Sequence, residues 1–133
     1  LEHSKEIGDK WEAIGIYILQ GYGTTETSPV VSVNRYDDRK IESVGKPVKG
    51  VKVKLAKDGE ILVKGPNVTQ GYFKNPAKTK ESFINGWYRT GDAGYLDEEG
   101  HLHIKGRTKY MIVTEGGQNV YPEDIEFKEE FLS

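Results

Sequence analysis

The sequence predicts a β-rich α+β fold built from antiparallel hairpins. Residues 51–64 carry much of that prediction. Val51-Lys52-Val53-Lys54-Leu55 alternates apolar and charged side chains, Asp58-Gly59 is a two-residue turn signal, and Glu60-Ile61-Leu62-Val63-Lys64 returns. Glycine carries the rest. It supplies 16 of 133 residues, well above the usual share of about 7%. The glycines follow no fixed period, which excludes a repeat protein, and they separate short strand-like runs.

Composition narrows the classes further. The chain has no cysteine and a formal net charge of -2. Disulfides, thiolate metal sites and thiol nucleophiles are excluded, and no general attraction to nucleic acid or anionic membrane is expected. No apolar run approaches the roughly 20 residues of a membrane span, and the first residues do not read as a signal peptide. A cytoplasmic setting is therefore expected. Asn67-Val68-Thr69 is a formal glycosylation sequon and carries little weight here.

The elements follow in order. Residues 3–14 read as a helix, with Ile7, Trp11 and Ile14 on one apolar stripe and Gly15 as its stop. Ile16-Tyr17-Ile18-Leu19 is expected to be a short buried strand leading into the glycine- and hydroxyl-rich loop Gln20-Gly21-Tyr22-Gly23-Thr24-Thr25-Glu26-Thr27. Residues 32–40 read as a polar surface loop. After the 51–64 hairpin, Asn75 is an N-cap, Pro76 suits the first helical turn, and a helix runs to Ile84 before Asn85-Gly86 ends it. A second hairpin has arms 93–96 and 101–104 around Asp97-Glu98-Glu99-Gly100. Gly106-Arg107-Thr108-Lys109 marks a break. Beyond it come a strand at Met111-Ile112-Val113, a Gly116-Gly117 loop and a helix opened by Pro122. One strand and one helix cannot build a core alone, so this last part reads as a domain cut short.

Two segments carry candidate chemistry. The loop after residue 20 offers an aromatic plate, hydroxyls and a carboxylate. Those suit stacking on a base, bonding a phosphate and holding Mg²⁺, which prefers oxygen ligands shared with phosphates. An ordinary polar turn is the commoner meaning of such residues, and neither G-x-x-x-x-G-K-[ST] nor G-x-G-x-x-G is present. Tyr88-Arg89-Thr90-Gly91-Asp92 sets an acid where it would accept two ribose hydroxyls, or where a plain turn would place it. His101 and His103 alternate on one strand, but nothing supplies a third metal ligand, and a solvated strand face is the expectation.

Three segments in order resemble the adenylate-forming superfamily, which includes acyl-CoA synthetases, luciferases and peptide-synthetase adenylation domains. They are Gly21-Tyr22-Gly23-Thr24-Thr25-Glu26, then Trp87-Tyr88-Arg89-Thr90-Gly91-Asp92, then Gly106-Arg107-Thr108-Lys109 leading to Gly116-Gly117-Gln118-Asn119-Val120-Tyr121-Pro122-Glu123-Asp124-Ile125-Glu126. A fourth segment, Gly59 through Tyr72, is similar to another stretch of the family. The wording resembles long-chain fatty acid–CoA ligases most.

The resemblance implies a role for each matching residue. Tyr22 would stack on adenine with the Gly21 and Gly23 backbone beside it. Thr25 would bond the α-phosphate, and Glu26 would ligate Mg²⁺; these two are the catalytic candidates. Asp92 and Arg107 would hold the ribose, and Gly116-Gly117 would line a coenzyme A channel. Lys109 would be the hinge, a position where many relatives carry Asp and some Lys. The implied reaction consumes a fatty acid, ATP and coenzyme A, with no nucleic acid. Contact with a membrane surface is compatible with a long-chain substrate, and oligomeric state is open. The implied organisation is the C-terminal part of the large domain, including its distal β-rich subdomain, over residues 1–106, then a hinge at 107–109 and the first elements of a small C-terminal domain from 110 to 133. The family's phosphate loop and its C-terminal lysine have no counterpart in residues 1–133. The chain is thus expected to be a fragment of a several-fold larger enzyme and inactive as a ligase by itself. The other readings are an adenylating enzyme for a different acid and a non-catalytic β-rich interaction module.

Overall fold

A computed structural model describes residues 2–114 and 116–122, with the side chains of residues 2–4 left aside. The helix α1 (Glu2–Glu12) is followed by a small sheet of β1 (Gly21–Tyr22), β2 (Ser32–Val33) and β3 (Lys46–Pro47). The larger sheet holds β4 (Lys52–Leu55), β5 (Glu60–Lys64), β6 (Phe83–Ile84), β7 (Trp87–Leu96) and β8 (Leu102–Arg107). Its order is β4-β5-β7-β6, with β8 also on β7, and every pairing is antiparallel. A helix α2 (Pro76–Glu81) precedes β6, and a separate hairpin joins β9 (Ile112–Val113) to β10 (Asn119–Val120). The β-rich α+β prediction holds.

The 51–64 hairpin forms as the sequence predicts, with Gly59 at φ 84° and the Ala56 amide donating to the Glu60 carbonyl at 2.9 Å. Ile61, Leu62 and Val63 are apolar on both faces because β5 lies between β4 and β7 and is buried on both. Val31, Val51, Ile61, Val63 and Leu102 form one core cluster, with Tyr22, Val44 and Ile104 packed on it. Burying each of the larger side chains contributes about 2 kcal/mol. The two sheets are also joined by main chain. The Val44 amide donates to the Leu102 carbonyl at 2.8 Å, and the Leu102 amide to the Gly45 carbonyl at 2.9 Å.

Several expectations are corrected. Residues 16–19 are not a buried strand: Ile16, Tyr17 and Leu19 are exposed, and no strand pairs with them among the described residues. Without a partner, apolar residues alone cannot satisfy a strand's backbone groups. The α1 stripe is not the packed face either. Trp11 is 45% exposed, whereas Gly8 is buried and leaves no room for a Cβ beside Ile41. Residues 32–40 are only partly a surface loop, since Ser32 and Asn34 are buried, Asn34 donating to the Ser43 carbonyl at 2.7 Å. The helix capped by Asn75 ends at Glu81. Phe83 and Ile84 instead pair with Tyr88 and Trp87, and Asn85-Gly86 is the two-residue hairpin turn between them, both residues having positive φ.

The histidine expectation fails most clearly. His101 is 1% exposed and His103 is buried as well. Asp97 reaches back from the turn to take them in. It accepts from the His101 amide at 2.9 Å and contacts His103 Nε2 at 3.1 Å, and His103 stacks on Tyr95 with ring centroids 4.5 Å apart. The helix expected from Pro122 falls on 123–133, outside the described residues.

Candidate functional site

The loop leaving β1 folds into a 3-10 turn at Thr25–Thr27, with the Thr24 amide donating to Thr27 Oγ1 at 2.8 Å. Gly23 is required there. A Cβ on it would fall 1.5 Å from the Pro29 carbonyl oxygen. This turn forms one wall of an open cleft of about 850 Å³. The opposite wall comes from Tyr88 to Gly91 of β7 and from Arg107 and Thr108 at the end of β8, and Tyr72 closes a side.

Of the residues named from sequence, Gly23, Thr25, Glu26 and Arg107 line the cleft. Tyr22 and Asp92 adjoin lining residues in sequence and touch each other: the Tyr22 hydroxyl donates to Asp92 Oδ2 at 2.6 Å. Arg107 Nη1 sits 3.1 Å from Asp92 Oδ1, so the carboxylate is shared between them. This pairing follows from register, because Asp92 is the β7 partner of Arg107 on β8. Gly21 precedes Tyr22 in β1 and is exposed. Lys109 lies in the 3-10 turn Thr108–Tyr110 with its ammonium 4.6 Å from the Tyr110 ring centre. Gly116 and Gly117 form the exposed turn between β9 and β10. These last three positions do not line the cleft.

Electrostatics suit an anion held with a cation. Burial alone would raise the Glu26 carboxyl. Hydrogen bonds from the Tyr72 hydroxyl, from its own backbone amide, and from Tyr88 and Thr24 outweigh that and hold it below the ordinary carboxylate range. The Tyr72 hydroxyl donates to Glu26 Oε1 at 2.8 Å. Burial first, and then the Asp92 hydrogen bond, pushes the Tyr22 phenol far above its usual value, so Tyr22 is a neutral donor. Burial and the Glu26 charge do the same for Tyr88.

Sequence reasoning missed three contributors. Tyr72 lies 46 residues from Glu26, and no spacing rule connects them. The sequence marks Glu60 only as a strand residue. It is buried, accepts from the Gly91 amide at 3.0 Å and pairs with Arg89 at 2.9 Å. Thr108, read as part of a break, donates to the Gly91 carbonyl at 3.0 Å and fixes the corner beside Asp92. None of the three carries a sequence signal, because each contact exists only in the folded chain.

A second polar cluster lies away from the cleft. Asp38, Glu99 and His101 offer ligand atoms within 4.8 Å of one another. Lys46 already neutralises Asp38 at 2.7 Å, and Lys40 neutralises Glu99 at 3.0 Å. This is an ion-pair network that anchors the β7–β8 turn.

Residues 2–73 match the sequence profile of the AMP-binding enzyme family. The chain belongs to that family. Within it, the chain is 47% identical over 120 residues to the long-chain-fatty-acid–CoA ligase FadD15 of Mycobacterium bovis, covering 90% of this chain and 20% of that protein. It is 48% identical over 113 residues to the 2-succinylbenzoate–CoA ligase of Listeria monocytogenes, covering 84% of this chain and 24% of the relative. The chain therefore spans about a fifth to a quarter of the length of these AMP-binding relatives.

Solved structures agree. The O-succinylbenzoate coenzyme A synthetase of Bacillus subtilis, in complex with ATP and magnesium ion, superposes with a TM-score of 0.83 at 35% identity, over 92% of this chain and 28% of that one. ATP-bound MatB of Rhodopseudomonas palustris gives 0.83 at 40% identity, over 92% and 27%. The β-rich architecture is thus that of AMP-binding enzymes. No helix among the described residues is long and apolar enough to cross a membrane.

Proposed function

We propose that this chain carries part of the adenylate site of an AMP-forming acyl-CoA synthetase. The observation that supports this most is the convergence at one cleft: Thr25, Glu26 and Arg107 line it, and Asp92 joins Arg107 to Tyr22. Oxygen donors, a carboxylate held ionised and a guanidinium are the chemistry that a nucleotide with a divalent cation needs.

In this reading the Tyr22 ring stacks on adenine, and Asp92 and Arg107 orient the ribose. Thr25 donates to the α-phosphate, and Glu26 holds Mg²⁺. The donor set fits that ion, since Glu26 presents a hard oxygen on the cleft wall with the hydroxyls of Thr24 and Thr25 near it. Bound there, Mg²⁺ would neutralise phosphate charge. The substrate carboxylate attacks the α-phosphorus, releasing pyrophosphate and forming the acyl-adenylate. The coenzyme A thiol then displaces AMP to give the thioester. Residues 107–109 act as the hinge, with Lys109 at its pivot, between a large domain ending at 106 and a small one starting at 110. Gly116-Gly117 lines the thiol's path in the second half-reaction.

A long-chain fatty acid is the acid we assign, supported by the match to FadD15 over 120 residues. The match to 2-succinylbenzoate–CoA ligase at 48% identity supports the second reading, an aromatic keto diacid. An acid panel assayed with the complete enzyme separates them. The site itself is tested by amide NMR titration of this chain with Mg²⁺ and a stable acyl-adenylate analogue. The expected shifts cluster at Tyr22, Thr25, Glu26, Asp92 and Arg107. Shifts confined to α1 or β4 would overturn the assignment.

A further inference from the structure

We infer that Tyr72 is a positioning residue for Glu26, and that residues 67–72 form a strap that fixes the anion-binding turn from outside its own loop. The inference deepens the nucleotide-site reading and rests on it.

The strap is stitched to the turn at several points. Asn67 Nδ2 donates to the Thr27 carbonyl at 2.9 Å and to the Val30 carbonyl at 2.8 Å. The Thr69 amide donates to the Glu26 carbonyl at 2.8 Å. These bonds hold the main chain from the Glu26 carbonyl onward to Val30. Tyr72 then reaches the side chain itself, through its hydroxyl to Oε1 at 2.8 Å.

Tyr72 is itself built into place. Its amide accepts no freedom to drift, because it donates to Thr79 Oγ1 at 2.9 Å, and the Lys78 ammonium lies 4.3 Å from its ring centre. Gly71 brings the strap close enough for that bond. Its φ is +151°, and a Cβ there would fall 2.6 Å from Thr79 Cγ2. So the N-terminal turn of α2 clamps Tyr72, and Tyr72 clamps one oxygen of Glu26. A carboxylate with one oxygen held by a fixed neutral donor is restricted in orientation, and Tyr88 and Thr24 restrict it further. Donors that orient a cation ligand in this way typically change affinity by about 10-fold or more when removed.

The alternative is that Tyr72 only supports packing. The two differ in which ligand feels the loss. Tyr72→Phe removes the hydroxyl and keeps the ring and its contact with Lys78. The probe is Mn²⁺ with ATP, read by paramagnetic broadening and by titration on this chain, with AMP alone as control. The expected result is Mn²⁺·ATP binding weakened about 10-fold while metal-free AMP binding is unchanged. In a Glu26→Gln background, the same change should have no further effect, because its target is gone. Wild-type Mn²⁺·ATP affinity in Tyr72→Phe, with Glu26→Gln clearly weakened, would overturn the positioning role and leave the site reading intact. Equal weakening of AMP and Mn²⁺·ATP would make Tyr72 a packing residue and overturn the role too. No broadening at Thr25 or Glu26 in the wild-type chain would overturn the site reading, and this inference with it.

Discussion

The Tyr22 hydroxyl donates to Asp92 Oδ2 at 2.6 Å across 70 residues of sequence. The contact ties β1 of the small sheet to β7 of the large one. It also places a buried carboxylate where Arg107 meets its other oxygen at 3.1 Å. Asp92 is therefore both a structural clasp and the candidate ribose ligand.

Tyr22→Phe removes a hydrogen bond to a charged group and should cost about 2 kcal/mol of stability. Urea unfolding of this chain measures it. Asp92→Ala leaves the buried Tyr22 hydroxyl without its acceptor and should cost at least as much. In the complete enzyme, Asp92→Ala should raise KM for ATP with a smaller change in KM for the acid. An unchanged KM for ATP would remove Asp92 from the ribose role.

The hairpins were legible in the sequence because their signals are local. Asp58-Gly59 with alternation on both sides needs no distant partner to be read. Asn85-Gly86 carried an equally local hairpin signal, but the Asn75–Pro76 helix start drew the reading of residues 77–84 into one helix. Phe83 and Ile84 are strand residues only because Tyr88 and Trp87 pair with them. Residues 16–19 show the reverse case: apolar character suggested a buried strand, but no strand pairs with them among the described residues, and Tyr17 packs on Tyr36 and Arg39. Resemblance to a family motif names Thr25, Glu26, Asp92 and Arg107 as site candidates, and the fold sets Thr25, Glu26 and Arg107 on one cleft. It does not name Tyr72 and Glu60, since their importance lies in contacts that only the folded chain creates. His101 and His103 were misread because the depth of the β7–β8 turn depends on Asp97 folding back over them.

The Asn85-Gly86 turn gives a direct check on that correction. Gly86 sits at φ 76°, a conformation that penalises a Cβ. Gly86→Ala should cost about 1 kcal/mol. A helix end would tolerate the change with a similar loss, so the deciding observation is location. Amide shifts should move at Phe83, Ile84, Trp87 and Tyr88 together. Changes confined to residues 76–81 would restore the helical reading.

Gly23→Ala tests the turn that carries Glu26. The added methyl would collide with the Pro29 carbonyl, which is backbone and cannot rotate away. The expected loss is about 3 kcal/mol, together with loss of the Thr24–Thr27 hydrogen bond. Thermal unfolding gives the first. The second appears as faster amide exchange at Thr24 and Thr27. A stable variant with unchanged exchange would mean that the loop has another accessible path.

Acid stability should depend on Asp97. Lys40 first, then His103 and the His101 amide, hold its carboxyl far below the ordinary range, despite burial acting the other way. The folded state therefore binds this proton less readily than the unfolded state, whose value is about 3.9. A depressed carboxylate contributes stability that is complete above the unfolded value and is lost as pH falls through and below it. Glu99 shares Lys40 with Asp97, and His101 and His103 face the same carboxylate, so all five groups belong to the cluster. Asp97→Asn should be less stable than wild type at pH 6. The gap should narrow between about pH 4 and pH 2, as wild type loses what the variant never had. Melting curves across that range decide it, and a constant gap would place the stabilisation in uncharged hydrogen bonds.

Leu102 tests whether the two sheets share one core. It is fully buried in the cluster with Val31, Ile61 and Val63, and its backbone bonds both to Val44 and to Gly45. Leu102→Ala should cost about 3 kcal/mol through lost burial and the cavity left behind. If the sheets unfold together, hydrogen exchange should accelerate by the same factor at Val31, whose amide donates to the Tyr22 carbonyl, and at Val63 in β5. Acceleration at Val63 alone would mean that the Tyr22 loop is held by the Asp92 clasp and not by the core. The Tyr22→Phe variant would then have to release that loop on its own, which gives the same exchange experiment a second, independent prediction.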